Sequence, residues 1–211
     1  MKVKIAVNPF RRKWSAIEFG LWAVGFVALG YCAFVLIGTR HYQTEQARRF
    51  DRAVAREKDG KAPNLPGDNS APLKTSQYPI NGSVVGRIQI PRLGMAAMVV
   101  DGVDDKDLQR AVGHIPGTPL PGDSGNVALA GHRDTFFRPL RNIRVADQIE
   151  VTTLRGIYRY RVASTAIVDP EDVWVLKPTP DESLTLVTCY PFDFIGAAPK
   201  RFIVQARRVI G

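Results

Sequence analysis

Hydrophobic and polar positions divide the 211-residue chain into four regions, each with its own rhythm. Phe19 to Ile37 is a run of nineteen residues without a charge, FGLWAVGFVALGYCAFVLI. As a helix it spans about 28 Å, close to the apolar thickness of a bilayer. The apolar core of a cleaved signal peptide is shorter and precedes a small-residue cleavage site, which Gly38-Thr39-Arg40 does not resemble. The run therefore predicts a transmembrane anchor over 19–38, preceded by a basic tail, 1–18. Gln43 to Lys58 is rich in Ala, Arg and Glu, with a helix-supporting Glu45–Arg49 pair and a thin apolar stripe of Phe50, Ala53 and Val54. It reads as a partly helical stalk. Gly60 to Pro79 carries four prolines with Gly67, Asn69 and Ser70, the composition of a flexible spacer. Residues 39–80 together are expected to be stalk and linker.

From residue 81 onward the period changes to short alternating strands. Val85–Ile90, Met98–Val100, Gln148–Thr153, Ile157–Ala163, Thr165–Val168, Val173–Leu176 and Arg201–Val209 all read as strands, with a hairpin around Leu154-Arg155-Gly156. Asp104–Val112 reads as a short helix capped by Asp104 or Asp105, and Phe136–Ile143 as a helical turn. Many short strands with few helices predict an all-β domain, a closed barrel, over 81–211.

Two further segments end on reactive side chains. In Ser183–Phe192, Leu184, Leu186 and Thr188 point to one face and Thr185, Val187 and Cys189 to the other. Pro191 stops the strand and leaves Cys189 at its end. Asn126–Asp134 alternates in the same way, with Val127 and Leu129 opposite Ala128, Ala130 and His132. In the last strand Phe202 and Val204 face a core and Arg201 faces away. A lone cysteine is more often a packed, inert side chain. A thiol, an imidazole and a guanidinium on faces turned from the core supply what thiol acyl transfer needs: a nucleophile, a proton carrier and an oxyanion donor.

Charge narrows the partners. The formal net charge is +9, but residues 1–80 carry 13 Lys+Arg against 6 Asp+Glu, while the remainder is nearly balanced. Nucleic-acid binding wants a basic stripe on the folded domain and is not expected. A basic segment beside a membrane fits better. Positive charges flank the apolar run on both sides, so their count does not set its orientation. Cys32 lies in the apolar run and Cys189 at a strand end, which argues against a disulfide between them. No acidic cluster has metal-ligand spacing.

The stretches Gly113–Thr118, Asn126–Thr135, Thr185–Phe192 and Pro199–Phe202 together resemble the sortase family of cysteine transpeptidases, most closely classes D and E. The likeness covers about Val84 to Arg208. It implies an eight-stranded barrel with Cys189 as nucleophile, His132 as general acid/base and Arg201 as oxyanion or substrate donor. Thr188 matches the family's substrate-contacting hydroxyl residue, although its alternation places it on the core face and a purely structural role fits equally. Asp134 is either a ring-orienting carboxylate or a solvated loop charge. His114 reads as structural, and Arg133, Arg138, Arg141 and Arg144 as a solvated face. The implied reaction cleaves an LPXTG-like sorting signal through a thioester and passes the acyl group to an amine acceptor, a cell-wall precursor or a pilin lysine. That function and the short N-terminal tail favour a cytoplasmic N-terminus with the domain outside the cell membrane. No cofactor is expected. Some members of the family bind calcium in loops, but nothing in this sequence indicates it. Two other readings stay open. An L,D-transpeptidase also pairs Cys with His, but in an S-x-G-C context that Val187-Thr188-Cys189 lacks. An anchored, non-catalytic β-domain would leave Cys189 unreactive.

Overall fold

Eight strands close on themselves in the order β1-β2-β3-β4-β7-β8-β6-β5. They are β1 Val84–Ile90, β2 Met95–Asp101, β3 Val112–His114, β4 Asn126–Ala130, β5 Gln148–Thr153, β6 Gly156–Val168, β7 Ser183–Tyr190 and β8 Lys200–Arg208. The structure is a computed structural model and describes residues 9–58, 82–194 and 196–209. Residues 1–8 of the basic tail and the expected spacer at 60–79 lie outside the described residues. The barrel predicted from alternation is the barrel found, with only one short α-helix, α2 Asp105–Leu108, and a few 3-10 turns within it.

The interior is built from the residues that alternation assigned to it. Ile88, Val99, Val127, Leu129, Leu184, Leu186 and Val204 form one cluster, each at most 1% exposed. Fully burying one such side chain stabilises the fold by roughly 1.5–3 kcal/mol. Most neighbouring strands are antiparallel, but β2/β3 and β4/β7 are parallel. A parallel pair needs a long crossover. The one between β4 and β7 contains β5, β6 and two 3-10 turns.

Three segments differ from expectation. Val173–Leu176 is a 3-10 turn, not a strand. Its apolar, β-branched composition serves tertiary packing instead: Val175 joins Val168 and Ile203 in a second cluster, with Leu176 and Val187 against it. Ile203 alternates with the core residues Phe202 and Val204, so this cluster covers the outer face of the barrel. The two strands expected over 157–168 are one, β6, bent by a bulge between Val162 and Ser164. The helix expected over 104–112 stops at Leu108, and Val112–His114 pairs with both β2 and β4.

A long helix, α1 Pro9–Lys58, precedes the barrel. The chain divides into two units between His41 and Tyr42. In the first, the helix is long and apolar enough to cross a membrane by length and composition. Its large apolar side chains, among them Phe19, Trp22, Phe26 and Leu29, are exposed. In the second, the end of α1 lies against the barrel rather than standing free as a stalk. Gln43 donates from Nε2 to the Arg110 carbonyl (2.5 Å) and accepts from the Met98 amide (2.8 Å). Phe50 is 5% exposed beneath the Arg87 guanidinium, which also pairs with Asp51.

Candidate active site

The site is a matter of where three strand ends fall. In the β7/β8 ladder Cys189 lies directly opposite Arg201, and Thr188 opposite Phe202. Residues directly opposite share a face, so Cys189 and Arg201 are side by side on the outer surface and Thr188 points inward with Phe202. In the parallel β4/β7 pair Ala130 matches Val187, and the Gly131 amide continues the pairing onto the Val187 carbonyl at 3.1 Å. His132 follows directly, at the start of the turn in which its carbonyl accepts from the amides of Thr135 (3.3 Å) and Phe137 (3.2 Å). Of the three side chains singled out in the sequence, Cys189 and Arg201 are thus ladder partners, and His132 lies two residues past the end of β4, the parallel neighbour of β7. All three are half-buried, reachable by a substrate yet partly shielded from water.

The neighbouring outer face is closed over. Asn126, at the start of β4, is 3% exposed. Its Nδ2 donates to the carbonyls of Val175 (2.9 Å) and Lys177 (3.2 Å), while Oδ1 accepts from Thr185 (2.8 Å) and Ser183 (3.3 Å). That uses the full capacity of the amide. It clamps the segment between β6 and β7 onto the β7 surface, so Thr185 is 2% exposed while Val187 and Cys189 beyond it emerge. The sequence signal for this anchor was slight, because an asparagine opening a strand reads as an ordinary polar edge.

Thr188 does not face the surface. It is 2% exposed, and its hydroxyl donates to the Gly131 carbonyl at 2.7 Å. A Cβ on Gly131 would come within 2.8 Å of the fully buried Phe137 ring, so that residue is held between β7 and Phe137. This contact accounts for Thr188 as a brace for the peptide that carries His132.

The segment joining β7 to β8 is organised by side chains. Tyr190, Phe192 and Phe202 form an aromatic trio, with Phe192 and Phe202 edge to face at 5.3 Å. Arg201 donates from Nη1 to the carbonyls of Lys200 (3.1 Å) and Ala198 (3.3 Å). Arg133, expected on a solvated face, is instead 5% exposed. Asp134 is 67% exposed and faces Arg133 Nε at 3.4 Å, as a solvated loop charge would. His114, 2% exposed, bonds Asp101 (2.8 Å), Pro119 O (3.0 Å) and Thr118 (3.1 Å), pinning the loop before β4. Among the described residues no group of His, Cys, Asp or Glu is arranged to hold a metal ion.

A closed eight-stranded barrel with a strand-end cysteine paired to an arginine, and a histidine on the parallel neighbour, describes a sortase. The Sortase domain family model matches residues 88–209, more than half of the chain, and the chain belongs to the sortase family. It is 34% identical over 196 residues to Sortase D of Bacillus subtilis (strain 168), covering 92% of this chain and 98% of that protein. Among solved structures, a Clostridium perfringens Sortase D5 transpeptidase superposes with a TM-score of 0.62 at 25% identity, over 81% of this chain and 97% of the other. A Clostridium perfringens sortase C with the C-terminal cell wall sorting motif gives 0.59 at 23% identity, over 78% and 87%, a likeness of fold. Members of this family are cysteine transpeptidases acting on sorting-signal substrates, and this chain is an enzyme of that kind.

Proposed function

We propose that the chain is a membrane-anchored sortase that cleaves an LPXTG-like sorting signal and joins the new carboxyl end to an amine of the cell envelope or a pilin. Cys189 attacks the carbonyl carbon of the Thr–Gly-type bond as its thiolate. Arg201 donates to the oxygen that gains charge, and His132 gives a proton to the leaving amine. The C–N bond breaks and a thioester remains on Cys189. An incoming amine then attacks the thioester, His132 takes its proton, and Cys189 leaves as the thiolate from which the cycle began. The observation that carries this reading is the register that sets Cys189 opposite Arg201 on the outer face. Thr188 acts from beneath, as a brace and not as a substrate contact. No cofactor enters any step.

The uncharged run in α1 supports a single membrane span, and the short tail and the reaction proposed here favour the tail inside and the barrel outside. A membrane-impermeant maleimide applied to intact cells should label Cys189; labelling only after lysis would reverse that orientation. For the chemistry, full-length protein in detergent is incubated with Leu-Pro-x-Thr-Gly peptides and its intact mass is followed. The expected result is an acyl adduct on Cys189 that an added amine removes. Cys189→Ala should abolish it while circular dichroism stays unchanged, and an adduct that survives this substitution would put the nucleophile elsewhere.

A further inference from the structure

Arg133 follows His132 in the chain, yet its side chain belongs to another segment. Nη1 donates to the Pro191 carbonyl at 2.8 Å, and Nη2 to those of Phe194 (2.5 Å) and Gly196 (3.0 Å). The guanidinium carbon lies 6.0 Å from the centroid of the Phe194 ring. A buried cation is costly unless its surroundings compensate it. Here three carbonyls of the loop that joins Cys189 to Arg201 take the hydrogen bonds, and the exposed Asp134 carboxylate lies 3.4 Å from Nε. Within the loop the Phe194 amide reaches the Pro191 carbonyl at 3.5 Å, long for such a bond. Past Gly196, the Ala198 carbonyl receives the Arg201 guanidinium. One end of the loop is therefore fastened to the residue after the base, and the other end steers the oxyanion donor.

We propose that Arg133 is a positioning residue: its guanidinium fixes Pro191, Phe194 and Gly196 and, through them, the aim of Arg201. The proposal rests on the roles given above to Cys189, His132 and Arg201. A planar fork serves several carbonyls at once, which the point charge of a lysine does not.

The test uses full-length Arg133→Ala and Arg133→Lys in detergent with three readouts. Chymotryptic cleavage after Phe192 or Phe194 reports the loop and needs no substrate. Iodoacetamide reports the Cys189 thiol, and a fluorogenic Leu-Pro-x-Thr-Gly peptide reports turnover. Both variants should be cut about tenfold faster or more, as expected of a segment freed to open locally. Alkylation should stay within about threefold of wild type while peptide kcat falls about tenfold or more, the pattern of a lost transition-state contact. Ethylguanidinium should slow the cutting of Arg133→Ala and restore part of its kcat. Wild-type cutting in both variants would overturn the proposal, as would an Arg133→Lys indistinguishable from wild type. Faster cutting with unchanged kcat would reduce Arg133 to a brace without influence on Arg201. Loss of the whole fold in both variants would assign Arg133 to the barrel rather than the loop. If wild type turns over no peptide, the substrate reading fails by itself, and cutting and alkylation still decide the loop.

Discussion

Replacing Thr188 with valine separates two roles that the sequence left equal. The change conserves shape and removes one hydroxyl. The hydroxyl is buried, and so is Gly131, the residue whose carbonyl accepts from it at 2.7 Å. Deleting one partner of a buried hydrogen bond leaves the other unsatisfied, at a cost of about 1–3 kcal/mol. In a domain of this size that lowers Tm by roughly 4 °C for each kcal/mol. Because Gly131 precedes His132, the loosened peptide should also lower kcat, with KM little changed. Thr188→Ser keeps the donor and should recover most of the lost stability. The assay is thermal unfolding of both variants beside steady-state kinetics on one sorting peptide. A Thr188→Val protein as stable as wild type, with KM raised severalfold, would refute the bracing role and return Thr188 to the substrate.

Arg201→Lys keeps the charge but loses the fork, so peptide cleavage should fall roughly a hundred- to thousandfold, about 2.7–4 kcal/mol in the barrier. Iodoacetamide alkylation forms no oxyanion and should fall far less; equal losses would mean that Arg201 acts on the thiolate instead. Asp147 is 8% exposed and accepts from Arg92 Nε, from Arg92 Nη2 at 2.6 Å and from the Arg144 amide at 2.8 Å. The Arg92 hydrogen bond comes first among the causes that hold its carboxyl below the usual 3.8. A lowered carboxylate stabilises the fold above its unfolded value, and that contribution is lost as pH falls through the folded one. Asp147→Asn should therefore flatten the decline of Tm below about pH 4, and an unchanged acid profile would show that Asp147 is not a source of it.

The parts of this molecule legible in its sequence are those governed by period two. Leu184, Leu186, Val127 and Leu129 could only face a core, and that fixed the faces of Cys189 and His132 before any pairing was known. The Cys189–Arg201 match needed the ladder itself, since alternation gives a face but not a register. Val173–Leu176 misled because apolar, β-branched residues suit a buried strand and a packed 3-10 turn equally. The break at Ala163 was a bulge, which ends an alternation without ending a strand. Arg133 and Asn126 were hidden for another reason. Their partners are backbone carbonyls and hydroxyls from segments far along the chain, and no local pattern marks a side chain that serves a distant loop.

The parallel pairing of β4 with β7 also bears on when the enzyme can exist. Thr188 and Gly131, in contact through that pair, are 57 residues apart in sequence. The cysteine and its arginine lie on the last two strands. Contacts that close such long loops form late in folding. A ribosome that has made the histidine strand has made no active site, because the partner strands are the last part of the domain to be synthesised. In the mechanism proposed above, the nucleophile and its two helpers are assembled only when the barrel shuts, so a chain truncated before β8 would leave Cys189 without its ladder partner Arg201. In this architecture, completing the fold and arming the thiol are a single event.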